Sequence, residues 1–323
     1  MLNTIEQANP NTGNVNNPDK MQGCKPQPLD AKRWASLLRA ISEQRCTPFL
    51  GAEACFGAVP TASEIAREWA NEYGYPLEDS HDLARVAQFV ATEYRDPLFP
   101  KSLIKQRFQE IDPPNFGDPD EPHGALADLP LPVYITTNYY DFMVQALKSS
   151  PRYKDPRREW CRWNEPKGSE PSIFASGFKP TPANPVVYHL HGHITAPESL
   201  VLTEDDYLDF LVNTSKEPDL VPARIQTAFT RASLLFLGYR FTDLAFRVLL
   251  RSLVSHLQIN PTKAHVSVQL VAMDRTDDVA LIERAQAYLG RYCEGLDIGV
   301  YWGTCRQFVN DLRQNWEEFK RPK

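Results

Sequence analysis

A chain of 323 residues, 42% hydrophobic and 24% charged, is long enough to bury a large core, and no apolar run approaches the roughly 20 residues that a membrane-spanning helix needs. The formal charge of −6 gives no global pull toward nucleic acid. Six cysteines without a C-x-x-C pair argue against a zinc ribbon, a redox dithiol and a disulfide framework, and an N-terminus without a basic patch and apolar core predicts a cytoplasmic protein.

Residues 1–28 are rich in Asn, Pro and Gln and predict a disordered arm. Trp34, Leu37, Leu38 and Ile41 then recur at helical spacing, and Pro48, Phe49 and Leu50 form a short buried strand ending at Gly51. Helices are predicted over 63–73, 81–94 and 103–111. A second strand spans 133–137 and leads into a helix from about Asp141. A Pro-rich, basic segment precedes a third strand at 186–190, which is followed by helices at 205–212 and 221–231. Strands at 234–237, 266–271 and 298–302 each lead into a helix, starting near Thr242, Val279 and Arg306.

Short β-rich runs alternating with helices predict an α/β, Rossmann-like doubly wound, mostly parallel sheet over residues 29–323. Helical insertions are expected, one at about 61–128, together with the Pro-rich basic insertion at about 150–185. Ligands of such sheets lie at the carboxyl ends of strands near a topological switch point, so the loops after strands carry the functional weight.

Four of these loops contain unusual residues. GAEACFGAVPT, from Gly51 to Thr61, offers small residues before a helix start, where backbone amides and the helix end favour a pyrophosphate; a plain structural joint has the same composition. Thr136, Thr137 and Asn138 end the second strand, as a helix cap or as a functional group. His189, His191 and His193 alternate, a pattern that can converge on a metal, yet no nearby H-E-x-x-H or carboxylate cluster completes a set in the sequence, so no metal is expected and one catalytic histidine flanked by structural ones is favoured. FLGYRFTDL, from Phe236 to Leu244, reads as a turn plus an N-cap or as a ligand loop.

Taken together, FLGA at 49–52, TTN at 136–138, LHG at 190–192, LVLTEDDY at 200–207 and FLGY at 236–239 resemble, in order, the sirtuin-like NAD-hydrolysing domains of bacterial antiphage defence. Deacetylase sirtuins carry paired C-x-x-C zinc ligands between the asparagine and the histidine; here only Cys161 lies in that interval. The resemblance therefore implies an NAD glycohydrolase releasing nicotinamide and ADP-ribose, with NAD as substrate.

By that resemblance, Asn138 orients the attacking water and His191 is the general base. Gly51, Ala52, Glu53, Ala54, Pro60, Thr137, Asp141, Gly192, Gly238, Tyr239 and Asp243 would line the NAD site. It also implies a homo-oligomer, silent until activated by assembly, by a HerA-type ATPase or by another defence-system partner. Two departures stand out: Glu53 replaces a glycine, and Tyr140 replaces an aspartate. They motivate an alternative reading, a weak or inactive scaffold subunit that binds NAD or ADP-ribose. The basic, Trp-containing stretch at 151–167 is a third feature, read as a solvated insertion or subunit contact ahead of a nucleic-acid patch, so no direct nucleic-acid binding is expected.

Overall fold

Seven parallel strands in the order β3-β4-β2-β1-β5-β6-β7 form one sheet in the computed structural model, which describes residues 27–55, 57–165, 171–240, 246–248, 265–269 and 279–321. The strands are β1 (Cys46–Leu50), β2 (Val133–Thr136), β3 (Arg157–Trp160), β4 (Val186–His189), β5 (Ser233–Leu237), β6 (His265–Gln269) and β7 (Ile298–Trp302). The α/β Rossmann-like expectation holds. From β1 the chain passes to β2, skips a place to the edge strand β3, returns to fill the gap with β4, and then crosses to β5 on the other side of β1. The switch point thus lies between β1 and β5, whose registers run in step from Cys46↔Ser233 to Leu50↔Leu237.

Strand alternation sorts the core into two layers. Leu50, Tyr134 and Leu235 face one side with Leu37 and Ile41 of α1 (Ala31–Ser42). Phe49, Ile135 and Phe236 face the other with Phe229. On the first side Trp34 stacks on Phe308, whose centroid lies 5.6 Å away. The helices of the middle region are α2 (Ala62–Tyr73), α3 (Leu83–Glu93), α4 (Phe99–Gln109), α5 (Pro122–Ala127) and α6 (Phe142–Ser149). Those that follow are α7 (Glu204–Lys216), α8 (Ala223–Arg231), α9 (Val279–Glu294) and α10 (Cys305–Lys320).

Local chemistry sets many of the boundaries. Thr61 and Glu64 close a capping box at the start of α2, and Gly74 ends that helix in the left-handed region. Helix α4 begins before the predicted residue 103, because Pro100 sits in its first turn, where a missing N–H costs nothing. Two elements were not anticipated: the short helix α5, and strand β3 inside the basic segment. The predicted arm lies outside the described residues except for Gln27 and Pro28, and Gln27 exchanges backbone hydrogen bonds with Trp302 at 2.9 and 3.1 Å. The helix expected from Thr242 lies outside them except for 246–248, which are helical. No helix among the described residues is long and apolar enough to cross a membrane.

Candidate active site at the carboxyl edge

The ends of β1 and β5 are clasped through two glycines. Gly51 N–H donates to Leu237 O at 2.8 Å and Glu53 N–H to Gly238 O at 3.2 Å. A Cβ on Gly238, which has φ +78°, would meet Ala54 N at 2.2 Å, and one on Gly51 would meet Gly238 O at 2.5 Å. Only glycine permits this approach. Ala54 N–H turns back to Gly51 O at 3.2 Å within the 3-10 turn Ala52–Cys55. The amides of Gly51, Glu53 and Ala54 therefore shape this loop by bonding inside the fold.

The Glu53 side chain is paired with Arg240, both partly exposed. Its carboxylate is thus held by a cation beside the switch point. Tyr239 ties the sheet ends together: its hydroxyl donates to Leu50 O and, having one proton, accepts from the Thr137 hydroxyl, each at 2.9 Å. Its ring stacks on Phe246 at 4.3 Å. Pro60 is half-buried just before Thr61 and helix α2, and Asp243 lies outside the described residues.

Asn138, two residues past β2, is buried. Its N–H donates to Thr136 Oγ1 at 3.0 Å, and its Nδ2 to Gly51 O at 3.2 Å. With Nδ2 anchored, the side-chain oxygen is the group left to orient a ligand or water. Behind it lies a buried trio that sequence reasoning missed. Cys55 Sγ sits 3.9 Å from Asn138 Nδ2 and 3.5 Å from His123 Nε2, while His123 Nδ1 meets Glu121 Oε1 at 2.8 Å. Burial alone would lower the His123 pKa, but Cys55 and Glu121 outweigh it and raise it to about 10. The only signal in the sequence was Cys55 inside the first loop.

His191 lies two residues past β4, also buried. Its ring meets Tyr207 and Phe210 edge-on, with centroids 5.5 and 5.3 Å away. Burial lowers its pKa to about 4, so the imidazole is neutral at neutral pH. The LVLTEDDY stretch supplies its seat. Thr203 and Asp206 cap α7, Asp206 pairs with the buried Lys101 at 2.7 Å, and Tyr207 is thereby set against His191. Gly192, at φ +84°, lets the loop fold tightly; a Cβ there would meet Ser199 O at 2.1 Å.

The three alternating histidines do not share one face, because β4 ends at His189 and the chain turns. His189 and His193 instead converge on Asp141, which also pairs with Arg158. Asp141 is the carboxylate that the sequence reading did not find near these histidines. One oxygen each from Asp141 and one nitrogen each from His189 and His193 lie within 4.8 Å of one another. Burial would raise the Asp141 pKa, yet the contact with His193 and the charge of Arg158 bring it down to about 2. Tyr140, in the place of the expected aspartate, packs against Phe142 at 4.5 Å and belongs to the core.

Several side chains of the Trp-containing stretch are engaged within the fold. Lys154 Nζ donates to Leu129 O at 2.6 Å, Arg162 pairs with Glu159 and Glu165, and Trp163 Nε1 donates to Ser199 O at 2.8 Å. Strand β3 itself lies at the sheet edge beside β4.

A doubly wound parallel sheet, with an asparagine and a histidine at the carboxyl ends of neighbouring strands, is joined by a match of residues 132–291, just under half of the chain, to the family model of the SIR2-like domain. The match begins after the Gly51 loop. Among named proteins, the chain is similar to NAD(+) hydrolase ThsA of Enterococcus faecium, 26% identical over 183 residues, covering 56% of this chain and 34% of that one. It is also similar to NAD(+) hydrolase ThsA of Acinetobacter baumannii (strain 532279), 24% identical over 202 residues, and of Bacillus cereus (strain MSX-D12), 25% identical over 210 residues. These alignments cover 61% and 64% of this chain and 36% and 39% of the relatives. The chain thus spans between a third and two fifths of the length of the curated relatives it matches.

Proposed function

We propose that this chain is an NAD glycohydrolase, breaking the bond between nicotinamide and ribose and passing the ribosyl centre to water. The observation that carries the reading is the placement of Asn138 and His191 on the loops after β2 and β4, adjacent strands on the β1 side of the switch point. The similarity to proteins named NAD(+) hydrolase supports it.

The chemistry suits these residue types. Nicotinamide leaves with the bonding electron pair, and the ribosyl carbon becomes oxocarbenium-like. Water attacking that cation becomes strongly acidic as the new C–O bond forms, so a weak, neutral imidazole suffices to take its proton. The Asn138 carboxamide orients the water without quenching the cation. The pairing of Glu53 with Arg240 supports activity over the inactive-scaffold reading, because it offsets the carboxylate that would oppose a pyrophosphate.

Its regulation belongs to the same proposal: an antiphage effector held silent until it assembles, alone or with a HerA-type ATPase or another partner. The test is nicotinamide release from NAD by the purified chain, alone and with its gene-neighbour protein. His191→Ala and Asn138→Ala should each lower the rate by about 10²–10⁴-fold. Absence of nicotinamide release under every assembly condition would reject the proposal.

A further inference from the structure

Three buried atoms at the base of the β4 loop converge with no hydrogen bond to any other described group: Asp141 Oδ1, His189 Nε2 and His193 Nε2. Both histidine side chains are essentially inaccessible to solvent, and the carboxylate is about a quarter exposed. His193 Nε2 lies 3.2 Å and His189 Nε2 3.9 Å from Asp141 Oδ1. A tetrahedral ion with bonds of about 2.0–2.1 Å spaces its ligand atoms roughly 3.3 Å apart, so small side-chain shifts bring these three onto one centre.

From this convergence we propose that Asp141, His189 and His193 bind a divalent transition-metal ion of the zinc class. Two imidazoles and one carboxylate suit such an ion, and a water fills the fourth position on the side where Asp141 is exposed. The surroundings orient the ligands. His189 Nδ1 lies 2.8 Å from Asn138 O, an atom that only accepts, so Nδ1 carries the proton and Nε2 presents its lone pair. Arg158 holds the second carboxylate oxygen, turning Oδ1 to the histidines at the cost of some affinity for a cation.

His193 is the ligand that must change tautomer. Its Nδ1 accepts the Thr195 N–H at 3.2 Å, which leaves the proton on Nε2, facing Asp141. The ion takes the Nε2 lone pair. The imidazole keeps one proton, now on Nδ1, and donates it to Thr195 Oγ1, 2.8 Å away. The proton count of the site is unchanged. Through the His189–Asn138 bond the ion braces Asn138, so the site is structural and lies beside the proposed NAD centre. The inference does not depend on NAD cleavage.

The test uses the full chain, stripped with a chelator and titrated with Zn²⁺ and with Co²⁺. One equivalent should bind, Co²⁺ giving the intense visible spectrum of a four-coordinate site, and Asp141→Asn and His193→Gln should each weaken binding by at least tenfold. Failure of the folded wild type to bind one equivalent, or equal binding by folded variants, overturns the assignment. Where a variant does not fold, X-ray absorption of the zinc-loaded wild type decides: two imidazoles with oxygen support the site, and sulfur ligation or oxygen alone overturns it.

Discussion

Glu53 and Arg240 form an ion pair across the loops that follow β1 and β5, the two strands flanking the switch point. Removing the cation alone leaves a carboxylate beside the proposed pyrophosphate position. Arg240→Ala should therefore raise KM for NAD several-fold with kcat little changed, and Glu53→Gln in the same chain should restore it. Both side chains are partly exposed, so the effect should shrink as salt is added. Steady-state kinetics at two ionic strengths provide the measurement.

Gly238 should tolerate no side chain. Its positive φ strains any other residue, and the Cβ would strike the Ala54 backbone nitrogen at 2.2 Å. Gly238→Ala should cost on the order of 3 kcal/mol in urea unfolding. Gly177 is the control: its φ of +81° is similar, but nothing lies within 4 Å of its Cβ position. Gly177→Ala should cost about 1 kcal/mol, the conformational part alone. Equal losses at the two positions would mean that the β1–β5 clasp is not close-packed.

These contrasts mark where the sequence was legible. Central strands such as β1 and β5 are buried on both faces and announce themselves as apolar runs, which fixed the order of elements and the loops carrying Asn138 and His191. Strand β3 did not, because as an edge strand it carries the charged run Arg157, Arg158 and Glu159, and Arg158 meets its partner Asp141 only in the folded chain. The same holds for the Asp141 cluster and for Cys55 with His123. Local periodicity describes which way a side chain faces; it does not say which distant residue it meets.

Lys154 gives a pH-dependent test. It is buried, its ammonium donating to Leu129 O, and burial, aided by the nearby Arg152, lowers its pKa to about 8. Between pH 8 and the ordinary lysine value of about 10.5, the unfolded chain holds the proton that the folded chain has lost, so this group makes stability rise with pH. Below pH 8 the penalty is constant. Lys154→Met should then be more stable than wild type by about 1–3 kcal/mol at pH 7, and the gap should narrow as pH rises through that window. Thermal or urea unfolding at pH 7 and 9.5 checks the sign.

The seat of His191 should matter to rate more than to binding. Tyr207 meets the imidazole edge-on from the first turn of α7, and nothing in that contact depends on its hydroxyl. Tyr207→Phe should leave nicotinamide release close to wild type. Tyr207→Ala removes one wall of the seat and admits water around the ring. A loosely held base reaches the attacking water in fewer productive encounters, so kcat should fall about 10–100-fold while KM changes little. The split is the informative readout. A rise in KM at constant kcat would place Tyr207 in substrate binding, and no change in either would place His191 outside the reaction.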